Sequence, residues 1–148
     1  MILTKEEIRK EVSVILKEKI KIENFEYYDF QNFESLSSEE TFCLISVSKS
    51  DCKQLIKFWV KGFEKIIEFE ERYDGEVDYL EWYETNILEI DKFKFLKEFK
   101  SMTSNLNKSV KAIDNPIRYY QVKYEWNERI FILESKTEFM MAYWDTTV

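Results

Sequence analysis

The sequence predicts one α+β domain over residues 1–148, built from about three helices and an antiparallel sheet. Apolar residues recur at helical spacing in several stretches, and three alternating runs follow one another at the C-terminal end. Hydrophobic residues make up 45% of the chain, which is enough for a substantial core. Because only two glycines and one proline interrupt the chain, no linker divides it and we expect a single domain.

The first helix is predicted over residues 5–21. Thr4 and Glu7 have the spacing of a capping box, in which each side chain accepts a hydrogen bond from the other residue's backbone N–H group. Apolar residues then recur along one helical face, at Ile8, Val12, Ile15, Leu16 and Ile20. Beyond this helix, residues 25–31 and 41–48 have the aromatic and β-branched content that is typical of strands.

A second helix is predicted over residues 51–71, with Ser50 as its N-cap and Asp74-Gly75 as the turn that follows. Its apolar positions form a broad face that we expect to be buried. These positions are Leu55, Ile56, Trp59, Val60, Phe63, Ile66 and Ile67.

Residues 77–90 fit a strand, which is our prediction, although a helix over 77–84 fits as well. Asp91 is a candidate N-cap for a third helix over 91–106, and Asn115-Pro116 marks a turn. The lysines of the second and third helices are predicted to lie on solvated faces with ion pairs. They include Lys53, Lys57, Lys61, Lys65, Lys94, Lys97 and Lys100.

The C-terminal third predicts a three-stranded meander over residues 117–126, 129–135 and 138–147, with turns at Asn127-Glu128 and around Lys136-Thr137. With two-residue turns, Val122 is expected opposite Leu133 and Met140, Tyr124 opposite Phe131 and Ala142, and Tyr120 and Trp144 on the same face. The opposite face mixes polar and apolar side chains, so we expect a helix or a partner to cover it.

Excess negative charge is concentrated in residues 68–84, which we call the acidic segment. Its eight carboxylates and one base, Arg72, give a net charge of −7, equal to the net charge of the whole chain. Rings that can be buried between complementary charges are typical of protein-binding surfaces. The predicted protein interface consists of Glu70, Glu71, Asp74, Glu76, Asp78, Tyr79, Glu81, Trp82, Tyr83 and Glu84.

Part of the acidic segment, "EERYDGEVDYLE" at residues 70–81, resembles the calcium-binding loop of EF-hand proteins. Asp74 and Glu81 fit that pattern. Glu70 stands where the pattern has Asp, Arg72 places a cation among the expected ligands, and no second loop follows. We therefore predict no calcium site.

The chain has no histidine, which removes the commonest general base and metal ligand. Cys43 and Cys52 match no metal or disulfide motif. We predict no catalytic residue, no cofactor and no metal. The N-terminus does not resemble a signal peptide and no stretch is long and apolar enough to span a membrane, so a cytoplasmic protein is expected.

These observations favour a small, non-enzymatic inhibitor that binds another protein. A toxin-neutralising immunity protein and a phage anti-defence protein are both of this type. The expected partner has a basic surface, such as that of a nuclease, while direct binding to nucleic acid or to a membrane is not expected. One alternative is a small-molecule-binding or catalytic domain with a pocket lined by rings such as Tyr120, Tyr124 and Trp144. Another is a structural protein that self-associates.

Overall fold

The computed structural model describes residues 2–18, 22, 24–30, 40–70, 83, 85–106 and 110–146. The described residues form three helices and seven strands, which confirms the predicted α+β class. In chain order these are β1 (Ile2–Leu3), α1 (Lys5–Lys17), β2 (Glu26–Asp29), β3 (Glu40–Ser48), α2 (Leu55–Glu70), β4 (Ile87–Ile90), α3 (Lys92–Met102), β5 (Arg118–Tyr124), β6 (Glu128–Glu134) and β7 (Glu138–Thr146).

The seven strands form one antiparallel sheet in the order β1-β4-β5-β6-β7-β3-β2. The predicted meander, β5-β6-β7, occupies the centre of this sheet. β3 lies beside β7 over nine residue pairs, from Glu40 opposite Thr146 to Ser48 opposite Glu138. Of the strand predicted over residues 77–90, the last four residues are present as β4, while Tyr83, Thr85 and Asn86 lie outside any strand. Residues 71–82 and 84 lie outside the described part of the chain.

Helices cover both faces of the sheet. α1 and α2 pack on one face, where residues such as Val12, Trp59 and Ile132 share one buried cluster. α3 packs on the other face, where Phe95 and Phe99 join Phe131 in a second cluster. The half-apolar face of the meander, which carries Ile130, Ile132, Met141 and Tyr143, is therefore covered by α1 and α2 of the same chain.

The predicted cap residues explain where two of the helices begin. The Thr4 N–H donates to Glu7 Oε2 (2.9 Å) and the Glu7 N–H donates to Thr4 Oγ1 (3.3 Å), which completes the capping box of α1. The Lys94 N–H donates to Asp91 Oδ1 (2.8 Å) at the start of α3. α3 ends at Met102, short of the predicted residue 106, and the hydroxyl of Thr103 there donates to the Phe99 carbonyl.

The predicted N-cap of α2 was wrong. α2 begins at Leu55, and Ser50 lies in a turn before it, where its N–H donates to Ser48 Oγ (3.2 Å). The Cys52 N–H donates to the Ser48 carbonyl (3.1 Å), which extends this turn. The hydroxyl-rich sequence thus satisfies its own backbone locally instead of starting a helix.

The predicted register between β5 and β6 was also wrong, for two local reasons. The Glu125 N–H donates to the Glu128 carbonyl (2.8 Å), so the turn is centred one residue earlier than predicted. A bulge between Gln121 and Lys123 then shifts the remaining pairs. Because side chains alternate along a strand, this extra residue moves Val122 to the face that carries α1 and α2.

The register between β6 and β7 was predicted correctly. Leu133 lies opposite Met140 and Phe131 lies opposite Ala142, which follows from the two-residue turn at Lys136-Thr137. Tyr120, like Val122, lies on the face of the sheet that carries α1 and α2, and not on the face that was predicted for it.

Candidate functional site

The predicted interface lies mostly outside the described residues. Of its ten members, the structure describes the backbone of Glu70, which ends α2, and the whole of Tyr83. The other eight are Glu71, Asp74, Glu76, Asp78, Tyr79, Glu81, Trp82 and Glu84. The first residues of the acidic segment are accessible, since the Glu68 side chain is 66% exposed and Phe69 is half exposed, with its ring stacked on Tyr27 at 4.4 Å.

Tyr83 is part of the core and cannot serve as an exposed ring of the predicted interface. It is 1% exposed, and its hydroxyl donates to the Val60 carbonyl of α2 (3.1 Å). Its ring meets Trp59 and Phe63 edge to face, with centroids 5.4 and 5.8 Å apart. Tyr83 therefore fixes the far end of the acidic segment to α2.

The outer side of α3 carries a basic and apolar surface that the sequence reasoning missed. We call the side chains of Lys92, Phe93, Lys94, Leu96, Lys97 and Lys100 the α3 surface. Phe93 is 83% exposed and Leu96, one turn further on, is 46% exposed. The run "KFKFLKEFK" has four apolar residues among nine, more than one buried face needs, but only the structure shows that Phe95 and Phe99 are buried and that Phe93 and Leu96 are left exposed.

The lysines of α3 differ from those of α2 in their partners. On α2, Lys57 pairs with Glu18 (3.4 Å), and Lys61 and Lys65 pair with the glutamates three residues further on (3.6 and 3.3 Å). The predicted ion pairs are therefore present for these three residues, but the lysine side chains are mostly covered, with exposed fractions of 24%, 11% and 27%. On α3, by contrast, none of the four lysines pairs with a carboxylate among the residues that the structure describes.

Glu98 is the one carboxylate of α3, and it points toward the sheet. Its Oε2 lies 3.7 Å from Arg129 NH1, and its Oε1 accepts a hydrogen bond from the Tyr124 hydroxyl (3.3 Å). The Arg129 guanidinium lies between the rings of Tyr124 and Trp144, with Cζ 4.8 and 5.2 Å from their centroids. Because Glu98 is neutralised from the sheet side, the outer side of α3 remains positively charged.

The C-terminal end of α2 and the N-terminal end of α3 each carry charges that disfavour the helix. α2 ends with Glu68 and no base in its last turn, although a helix C-terminus carries partial negative charge. α3 has Lys92 and Lys94 in its first turn, at the end that carries partial positive charge. Each misplaced charge costs about 0.3–1 kcal/mol before screening.

A second polar group, centred on Glu134, is satisfied within the protein. Glu134 is buried, accepts hydrogen bonds from Lys49 Nζ and the Tyr120 hydroxyl, and lies 3.6 Å from Arg118. Burial acts to raise the pKa of Glu134, but the hydrogen bonds from Lys49 and Tyr120 hold that pKa below its ordinary value. Burial and the neighbouring Glu134 raise the pKa of the Tyr120 hydroxyl.

The rings proposed for a ligand pocket lie on two faces of the sheet. Tyr120 faces α1 and α2, where a groove of about 660 Å³ runs between α1 and the start of α2. Tyr124 and Trp144 flank Arg129 on the α3 side. The three rings therefore do not line a common pocket.

Within the described ranges, no three carboxylates or cysteines are placed to hold a metal ion. Cys43 and Cys52 are both buried, and neither forms a disulfide. Burial raises the pKa of the Cys52 thiol, with smaller opposing effects from the Gln54 backbone and Lys57. Its position just before α2 therefore does not activate it.

Comparison of the chain with protein-family models, with curated proteins and with solved structures finds no match. None of the helices in the described part of the chain combines the length and the apolar content needed to span a membrane.

Proposed function

We propose that this chain is a small, non-enzymatic protein-binding domain whose acidic segment binds a partner with a basic surface. One observation carries the proposal: the segment that holds the chain's entire net charge is attached to the core at both ends. It leaves the last turn of α2 beside the buried Ile66 and Ile67, and it returns at the buried Tyr83. A short segment held at both ends binds with a smaller loss of conformational entropy than a free tail.

Electrostatics supports a basic partner. A net charge of −7 within seventeen residues attracts a positively charged surface and speeds association at low salt. Proteins that handle nucleic acid present such surfaces, and covering one of them would inhibit it. Nucleic acid itself is repelled by the same carboxylates.

We further propose that the protein acts in the cytoplasm. Both cysteines remain thiols in the folded protein, as expected for a chain that works in a reducing compartment. An immunity protein and an anti-defence protein remain the two inhibitor types that fit this location.

The test reverses charge within the acidic segment, with the substitutions Asp78→Lys, Glu81→Lys and Glu84→Lys in one variant. Proteins captured from the source lysate are eluted at increasing salt and identified, and the affinity of each is then measured with purified material. We expect the variant to lose its partner or to release it at lower salt, because charge pairs at an interface weaken as salt rises.

A matched control carries Glu11→Lys, Asp51→Lys and Asp114→Lys, which are exposed and lie toward the start of α2, whereas the acidic segment begins at the end of that helix. This control has the same net charge as the test variant. If both variants bind the partner with the affinity and salt tolerance of the wild type, the acidic segment is not the interface. If the control also loses binding, net charge rather than the segment is responsible.

A further inference from the structure

The α3 surface has the chemistry of a docking site that is not used within the described part of the chain. Its two apolar side chains, Phe93 and Leu96, lie one helical turn apart and are exposed among four lysines. Exposed apolar groups of this size among charges are typical of interaction surfaces. A ligand that suits them must offer carboxylates and apolar or aromatic groups together.

We propose that the α3 surface binds the acidic segment of a second copy of this chain. The acidic segment alternates carboxylates with Tyr73, Tyr79 and Trp82, so it can pair with lysines while its rings cover Phe93 and Leu96. The two surfaces are thus complementary in charge and in apolar content. The proposal rests on the proposed function only in treating the acidic segment as a binding element.

The fold favours a contact between two molecules over one within the same molecule. Glu70 and Tyr83 lie on either side of residues 71–82, and both belong to the layer formed by α1 and α2. The α3 surface lies on the opposite side of the sheet. A segment attached to one layer and a docking surface on the other favour a head-to-tail contact, which builds closed rings or open chains of molecules.

Two other classes of anionic ligand fit less well. Lysines beside an exposed Phe would also suit an anionic bilayer, and lysines with rings would suit single-stranded nucleic acid. In both cases the acidic segment of the same molecule opposes binding, because its net charge of −7 is repelled by the ligand. When the ligand is a second copy of the chain, the lysines of the α3 surface and the carboxylates of the acidic segment attract each other.

The first experiment measures mass against concentration by sedimentation velocity, from about 1 μM to about 1 mM protein. The wild type is expected to increase in weight-average mass without a plateau at the dimer. Because the Debye length falls to about 3 Å at 1 M salt, the association should be lost there. The substitution Phe93→Ser should weaken it by about tenfold, as expected for a buried interface ring.

The decisive experiment is a charge swap. One variant carries Lys94→Glu and Lys97→Glu on α3, and the other carries Asp78→Lys and Glu81→Lys in the acidic segment. Each variant alone is expected to remain monomeric, because like charges then face each other. A mixture of the two should form a complex, since the reversed α3 of one molecule then attracts the reversed segment of the other. A matched control with Lys53→Glu and Lys136→Glu, both exposed and away from α3, should associate like the wild type.

Thermal unfolding establishes that each variant is folded. A wild type that stays monomeric at every concentration, or a mixture that forms no complex, overturns the inference. Binding of the monomer to phosphatidylserine vesicles or to a single-stranded oligonucleotide, abolished by the α3 variant, overturns it as well. If partner capture still depends on the acidic segment in these cases, the proposed function stands while the self-association falls.

Discussion

Glu134 shows at the scale of one residue how a buried charge is stabilised in this fold. Its carboxylate accepts from Lys49 and Tyr120, and the partly exposed Arg118 adds a weaker contact. Replacing the Glu134 carboxylate by an uncharged group of the same shape leaves the ammonium of Lys49 without its anionic partner. Hydrogen bonds to charged groups contribute about 1.5–3 kcal/mol, so this position matters for stability.

We expect Glu134→Gln to lower the free energy of unfolding by about 1–3 kcal/mol at neutral pH, measured by urea denaturation. The folded-state pKa of Glu134 lies below its ordinary value of 4.5. Stability from this group is therefore present above pH 4.5 and is lost as the pH falls through the folded-state pKa. The difference between wild type and variant should shrink over that acidic range.

The exposed Glu125 supplies the control for this measurement. Glu125→Gln should leave the free energy of unfolding within about 0.5 kcal/mol of the wild type. An unchanged difference between wild type and Glu134→Gln from neutral pH down to pH 3 would contradict the assigned role of the ionised carboxylate.

Tyr83 marks the limit of prediction at the residue scale. The sequence around it alternates acids and rings, and several periods fit such a short stretch, so its burial could not be read from local pattern. Its position is decided by Trp59 and Phe63, which form an aromatic site one helical turn apart on α2. Contacts between residues about twenty positions apart leave no periodic signal in the sequence.

At the scale of elements, α2 lies close against strand β7 of the sheet at Gly62. A Cβ at this position would lie 3.1 Å from Met141 Cε of β7 and 3.5 Å from Phe58 Cε1. Glycine destabilises a helix by about 1 kcal/mol relative to alanine. The close contact with Met141 explains why a glycine is nevertheless present here. The absence of a Cβ at this position therefore leaves room for the Met141 side chain.

We expect Gly62→Val to destabilise the protein by about 1–3 kcal/mol through overpacking, whereas Gly62→Ala should stay within about 1 kcal/mol of the wild type. The Ala variant gains helix propensity and needs only a small shift of the Met141 methyl group. A double-mutant cycle with Met141→Ala should recover part of the Val penalty. Simple additivity in that cycle would show that the crowding does not involve Met141.

The elements with strong local signals were predicted well. Capping residues located the starts of α1 and α3, and the short turn at Lys136-Thr137 fixed the pairing of β6 with β7. The bulge near Val122 could not be predicted, because a single unpaired residue leaves the hydrophobic alternation locally intact while it reverses the faces beyond it.

At the scale of the whole molecule, the order of layers depends on distant pairings. β3 lies beside β7 although about ninety residues separate them, and β1 is joined to the sheet through β4. No local pattern contains this information, so the sequence predicted the three helices and every strand except β1, but not which face each helix covers. The α3 surface was missed for this reason, since only the packing of α3 shows which of its apolar residues remain exposed.

Both thiols should report on the stability of the whole fold. Cys43 lies in β3 and Cys52 lies before α2, and both belong to the core that α1 and α2 cover. We expect neither to react rapidly with a thiol reagent in the native protein, and both to react once the chain is unfolded. Measured separately in Cys→Ala variants, with corrections for each variant's stability, the two protection free energies should agree with the global free energy of unfolding.

Rapid labelling of Cys52 in the native protein, with unchanged circular dichroism, would contradict this expectation. It would show that the turn before α2 opens independently of the core. Cys43 provides the internal comparison, because its strand has neighbours on both sides.

Both outermost strands of the sheet are short. β1 contributes two residues and β2 contributes four, whereas β3 and β7 have nine residues each and lie inside. A foreign strand that adds to an edge therefore finds only a short template. The long apolar strands, which would be the most prone to form amyloid-like stacks, become accessible only when the chain unfolds. Aggregation of this protein should accordingly follow the population of unfolded chains.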